Sequence, residues 1–120
     1  MRVLVCAGRC VQDEVSIRQR LDALHAAHGI ELVLHGGALV DMIAAQWAMM
    51  RGIPQVGFKL ADWRHYGAAA DRARNRHMLL VGNPDLVLVF PDGAADMCHQ
   101  AREAGVPVEL ASPSQIGRSA

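Results

Sequence analysis

The sequence predicts a single three-layer α/β domain built on a parallel sheet of about five strands in the order 3-2-1-4-5, and three observations carry that reading. Short apolar runs alternate with helical periodicity along the chain. Two of the runs, Val3-Leu4-Val5-Cys6 and Leu86-Val87-Leu88-Val89-Phe90, are apolar throughout, as strands covered on both faces must be. Three runs end in glycine-containing loops, Ala7-Gly8-Arg9, His35-Gly36-Gly37 and Pro91-Asp92-Gly93.

Taken in order, Val3–Cys6 is the first strand. From about Asp13 the pattern turns helical, with Ile17, Leu21 and Leu24 on one stripe and Gly29 at the stop. Leu32-Val33-Leu34 then leads through His35-Gly36-Gly37 into a helix from Asp41 to Arg51. Its stripe is Ile43, Trp47 and Met50; Asp41 is placed to cap its start, and Gly52 and Pro54 end it. Gln55-Val56-Gly57-Phe58-Lys59 alternates, as a strand at a sheet edge does, and a loop with Asp62 and Trp63 follows. Ala68 to Val81 has helical composition, closed by Gly82-Asn83-Pro84. After Leu86–Phe90, a fourth helix is expected over about Ala94 to Ala104. Val106 to Leu110 forms a last edge strand, where Pro107 is tolerable. Residues 1–110 make the domain, and 111–120 are expected to form a flexible tail.

Composition narrows the function classes. With 12 basic and 12 acidic side chains in 120 residues, the formal charge is zero and no global field recruits nucleic acid or an anionic membrane. Aromatic residues make up only 4%, with no basic stripe between them, so nucleic-acid binding is not expected. No apolar run is long enough for a membrane span and no leader pattern precedes the first strand, which points to a cytoplasmic protein. Cys6, Cys10 and Cys98 form no Cys-x-x-Cys pair, and the six histidines lack ligand spacing. Neither a metal nor another cofactor is expected.

In the order 3-2-1-4-5 the chain reverses direction between strands one and four, and ligands of such sheets bind outside the strands' carboxyl ends at that point. The three glycine loops meet there. Gly36-Gly37 is a candidate ligand floor, because glycine lets backbone N–H groups approach an anion at a helix start; a plain tight turn fits the same residues.

The segments Val3–Arg9, His35-Gly36-Gly37-Ala38 with Asp41, Ala61-Asp62-Trp63, Arg74-Asn75-Arg76-His77-Met78-Leu79, and Pro84–Val87 with Phe90-Pro91 together resemble the YspA/YpsA-related branch of the SLOG superfamily, from Met1 to about Val108. The resemblance implies a Rossmann-like fold that binds nucleotides or nucleotide-derived ligands, commonly as a homodimer. The superfamily also holds the Lonely Guy phosphoribohydrolases. The chain departs from the branch in two loops. His35 to Asp41 is one residue shorter than the usual His-Gly-Gly-Ala-Arg-Gly-Ala-Asp, with Leu39-Val40 for the Arg-Gly part. Pro91-Asp92-Gly93-Ala94-Ala95-Asp96 stands where Pro-Gly-Gly-x-Gly-Thr is usual, and no glutamate follows before Glu103.

Candidate ligand residues are therefore Gly8, Arg9, His35, Gly36, Gly37, Asp41, Asp62, Arg74, Asn75, Pro91, Asp92 and Gly93. Arg9 offers a guanidinium to a phosphate, and Arg74 with Asn75 offers one charge and one donor/acceptor pair. Arg72 and Arg76 are read as surface residues. Asp41 and Asp92 face a sugar or serve as a cap and a turn residue. Asp96 is the one nominated catalytic carboxylate, should the protein cleave a nucleotide's glycosidic bond. Three functions follow: binding of a nucleotide-derived molecule, nucleotide N-glycosidase or phosphoribohydrolase activity, or a scaffold associating through Trp47 and Met50.

Overall fold

The computed structural model describes residues 1–6, 14–36, 39–90 and 94–111, apart from the side chains at 39–41 and 61. Five strands, β1 (Arg2–Cys6), β2 (Leu32–His35), β3 (Gln55–Gly57), β4 (Leu86–Val89) and β5 (Val108–Leu110), form one sheet in the order β3-β2-β1-β4-β5, with every neighbouring pair parallel. The expected architecture is present. Four helices connect or flank them: α1 (Glu14–His28), α2 (Leu39–Met50), α3 (Ala70–Gly82) and α4 (Ala95–Glu103).

Strand alternation divides the core in two. Val3, Val5, Val33 and Leu88 point to one face and pack against Ile17, Leu21 and Leu24 of α1 and Ala44, Trp47 and Ala48 of α2. Leu4, Cys6, Leu34, Val87 and Val89 point to the other, against Met78 of α3 and Met97, Cys98 and Ala101 of α4. Complete burial on both faces is what makes β1 and β4 apolar at every inner position. Trp47, only 2% exposed, belongs wholly to the first layer, and its indole N–H donates to Asp22 of α1 at 2.9 Å.

Several boundaries differ from the sequence reading. Helix α2 begins two residues before Asp41, so Asp41 lies in the first turn instead of at the cap. The segment expected as a loop around Asp62 and Trp63 is a 3₁₀ stretch, Leu60–Ala69, bent at Gly67. Gly67 takes φ 58 and ψ −126, a conformation that costs a side-chain-bearing residue dearly, and the α-helix consequently starts at Ala70, not Ala68. Strands β3 and β5 are each two residues shorter than the runs Gln55–Lys59 and Val106–Leu110. Among the described residues no helix is long and apolar enough to cross a membrane.

Because all strands run the same way, the helices run back antiparallel to them. The N-termini of α3 and α4 therefore lie at the strands' carboxyl ends, where the functional side chains gather.

Candidate functional site

Helix α3 places Arg74. Ala70, Arg74 and Met78 recur every fourth residue and so share one stripe. Met78 is packed in the core layer beneath the sheet, which puts Arg74 one turn nearer the helix start, over the carboxyl ends of the strands. Its side chain is only 16% exposed and lies 3.5 Å from Asp71, also on α3. One terminal nitrogen donates to Asn75 Oδ1 at 3.2 Å, whereas the buried Nε–H has no acceptor among the described residues.

Asn75 continues the chain of contacts. Almost completely buried, it donates from Nδ2 to Asp96 Oδ2 at 3.0 Å. Asp96 lies in the first turn of α4, where a carboxylate is favoured by the helix dipole. Gln100, one turn further along α4, donates to the same oxygen at 2.7 Å and to the Arg72 carbonyl at 3.1 Å. Burial works against the charged form of Asp96. The bonds from Asn75 and Gln100, aided by the Arg72 guanidinium 3.9 Å away, outweigh it and hold the carboxyl below its ordinary range. Arg72 is otherwise a surface side chain, 79% exposed, as the sequence suggests. A cavity of about 340 Å³ opens between Ala68, Asp71, Arg72 and Asp96.

His35, at the end of β2, is buried on the opposite face of the sheet. Its Nε2 contacts Gln55 Oε1 at 2.5 Å, and its ring lies so close to Gly57 that a Cβ there would stand 2.8 Å from Cε1. The ring's other nitrogen, Nδ1, has no partner among the described residues. Gly36 is buried beside it. Asp62 is exposed at the start of the 3₁₀ segment and lines a second cavity with Trp63, beyond β3. It is separate from the Arg74-Asn75-Asp96 group. Gly8, Arg9, Gly37, Pro91, Asp92 and Gly93, the Asp41 side chain and residues 112–120 lie outside the described residues, as does Cys10.

Three of the nominated residues, Arg74, Asn75 and Asp96, are thus brought into one bonded group by two helices, the bond from Asn75 to Asp96 joining residues 21 apart in sequence. The family model for the YspA, cpYpsA-related SLOG family (YAcAr) matches residues 1–66, more than half of the chain. The chain belongs to the YAcAr family. The match ends before α3, so the group on α3 and α4 lies beyond the part that the YAcAr model aligns. No curated protein and no solved structure matches the chain.

Gln100 escaped the sequence reading. Its only signal is the i, i+4 spacing from Asp96, which any exposed pair on a helix shares. Among the described residues no group of three or more histidine, cysteine or acidic side chains could hold a metal ion.

Proposed function

We propose that this YAcAr protein binds a nucleotide or nucleotide-derived small molecule at the carboxyl ends of its strands, with Arg74 holding the anionic group. The observation that supports this is the state of Arg74. A mostly buried guanidinium with a donor left unbonded among the described residues is costly for the fold alone and well suited to a phosphate, which accepts several N–H bonds in the guanidinium plane. Asn75 and Asp96 serve the same end. Asn75 accepts from Arg74 with one end of its amide and donates to Asp96 with the other, so the arginine's position is fixed through two further side chains. The second oxygen of Asp96 is left to accept from a ribose hydroxyl.

Binding is favoured over hydrolysis by the chemistry of Asp96. Its carboxyl is held ionised by two amide donors, a form that suits water activation but has no proton to give a leaving base, so hydrolysis would need a separate general acid, and no glutamate follows before Glu103. The scaffold reading loses Trp47, which is inside the core, and keeps only the exposed Met50.

The test is a thermal-shift panel of nucleoside monophosphates, NAD, ADP-ribose and cyclic nucleotides, on the wild type and on Arg74→Ala. A ligand at about a hundred times its Kd adds roughly 2.7 kcal/mol, a rise on the order of 10 °C for a domain of this size. That rise, reduced in the variant, is the expected result. No shift with any compound would reject the reading, and base release from a monophosphate would replace it with the glycosidase.

A further inference from the structure

The chain's even charge balance conceals a local excess. Of its 12 basic and 12 acidic side chains, five basic ones, Lys59, Arg64, Arg72, Arg74 and Arg76, but only two acidic ones, Asp62 and Asp71, fall between residues 59 and 77. The 3₁₀ segment and the first turns of α3 are therefore positive, and the rest of the chain is negative to the same extent. Arg74 is turned inward, beside Asp71 and Asn75. The other four face water. Arg72 has only Asp96, at 3.9 Å, and Lys59, Arg64 and Arg76 form no ion pair among the described residues.

An apolar groove lies between these cations. Where the 3₁₀ segment runs beside α3, a cavity of about 420 Å³ opens between Trp63 and Tyr66 of the first and Ala73 and Leu80 of the second, with Arg72 and Arg76 also lining it. Leu80, 70% exposed, and Tyr66, 48% exposed, gain little from the fold in these positions. Arg72, Arg76 and Leu80 share one stripe by their spacing of four. Arg76 and Leu80 lie about 200° around α3 from Arg74 and Met78, so the groove opens away from the Arg74 side chain.

We infer that this groove docks an acidic amphipathic peptide segment of a partner protein, whose apolar side chains lodge between Tyr66 and Leu80 and whose carboxylates pair with Arg72 and Arg76. The two arginines are one turn apart, about 6 Å along α3, which matches carboxylates one turn apart on an accompanying helix. A guanidinium takes a carboxylate through two N–H bonds, and tryptophan, tyrosine and arginine are the side chains that concentrate binding energy at interfaces. A second copy of this chain would bring the same positive excess to a self-complementary contact, which opposes it. A nucleic-acid strand suits the groove less well, because its bases need free ring faces to stack on. Here the rings are already packed on one another: Trp63 lies 5.5 Å from Tyr66 and 4.9 Å from His77, and Tyr66 lies 4.3 Å from His65. What is left open is Leu80 and the alanine floor, a surface for aliphatic side chains.

A random peptide library displayed on phage and panned against the full chain tests this. Peptides enriched on the wild type are expected to carry aspartate or glutamate around leucine or phenylalanine. Synthesised with a fluorescent label, they should bind about tenfold or more weakly to Arg76→Glu and to Leu80→Ser, and weaken as salt rises. Both positions are exposed, and an unchanged Tm certifies that each variant is folded. Neither residue belongs to the Arg74 group, so any nucleotide-induced rise in Tm should persist in both variants. Labelled oligothymidylate and vesicles of anionic lipid are titrated into the same three proteins. No enriched peptide, enriched peptides without an acidic excess, or equal binding to either variant would each overturn the proposal. Binding of oligothymidylate or of vesicles that both variants lose, with no acidic peptide bound, would overturn it in favour of a nucleic acid or a membrane.

Discussion

The Arg74 side chain is held in place at some expense to the fold. Its Nε–H is buried without an acceptor among the described residues, so replacing it with an apolar side chain of similar length removes an unsatisfied donor along with the charge. Arg74→Met is expected to change stability by no more than about 1 kcal/mol, in either direction, while abolishing the ligand-induced rise in Tm. Urea unfolding alongside the thermal-shift panel checks both halves. Asn75 behaves differently, because it is buried and bonded at both ends. Asn75→Ala strands Arg74 and Asp96 together and should cost about 1–3 kcal/mol, read from the urea midpoint at unchanged slope. On the other face, a Cβ at Gly57 would press on the His35 ring, which lies nearly buried against Gln55. Gly57→Ala is expected to lose about 1–3 kcal/mol as the ring is displaced.

Among the elements, α4 begins under strain. Ala94, just before its first turn, takes φ 65 and ψ 29, the left-handed region that a Cβ disfavours by roughly 1–2 kcal/mol. Ala94→Gly should therefore raise stability by about 1 kcal/mol, seen as a Tm some 4 °C higher. The inner strands were plain in the sequence because burial on both faces leaves no polar position to confuse the pattern, as in Leu86–Val89. The 3₁₀ segment was not, since its residues Leu60–Ala69 are largely exposed and impose no apolar period. Arg74, Asn75 and Asp96 were nominated from topology and family resemblance together, without the bonds that join them. Gln100 and His77 stayed hidden, because a polar residue on a helix looks the same in sequence whether it meets solvent or a neighbouring helix.

For the molecule as a whole, two carboxylates tie helices together and titrate below their ordinary value. Asp22 does so mainly through the bond from Trp47, then through Arg51, joining α1 to α2; Asp96 joins α4 to α3 on the opposite face. A carboxyl whose pKa is lower folded than unfolded stabilises the fold above the unfolded value, 3.8 for both, and that contribution is lost as pH falls through the folded value. Unfolding free energy is thus expected to be insensitive to these two groups from pH 7 down to about 5 and to decline below about 4. In Asp22→Asn and Asp96→Asn the acid limb should be shallower, a comparison that denaturant titrations at stepped pH would make. The sheet that these helices cover closes at both margins with the briefest of strands, β3 and β5, three residues each. So short a margin gives a foreign strand little backbone to zip against, and β5 carries in Glu109 a charge already claimed by Arg20 of α1. Any contact between copies of this chain would then be made with side chains, and the methionines Met42, Met49 and Met50, turned outward from α2, are a supple, water-facing material for it.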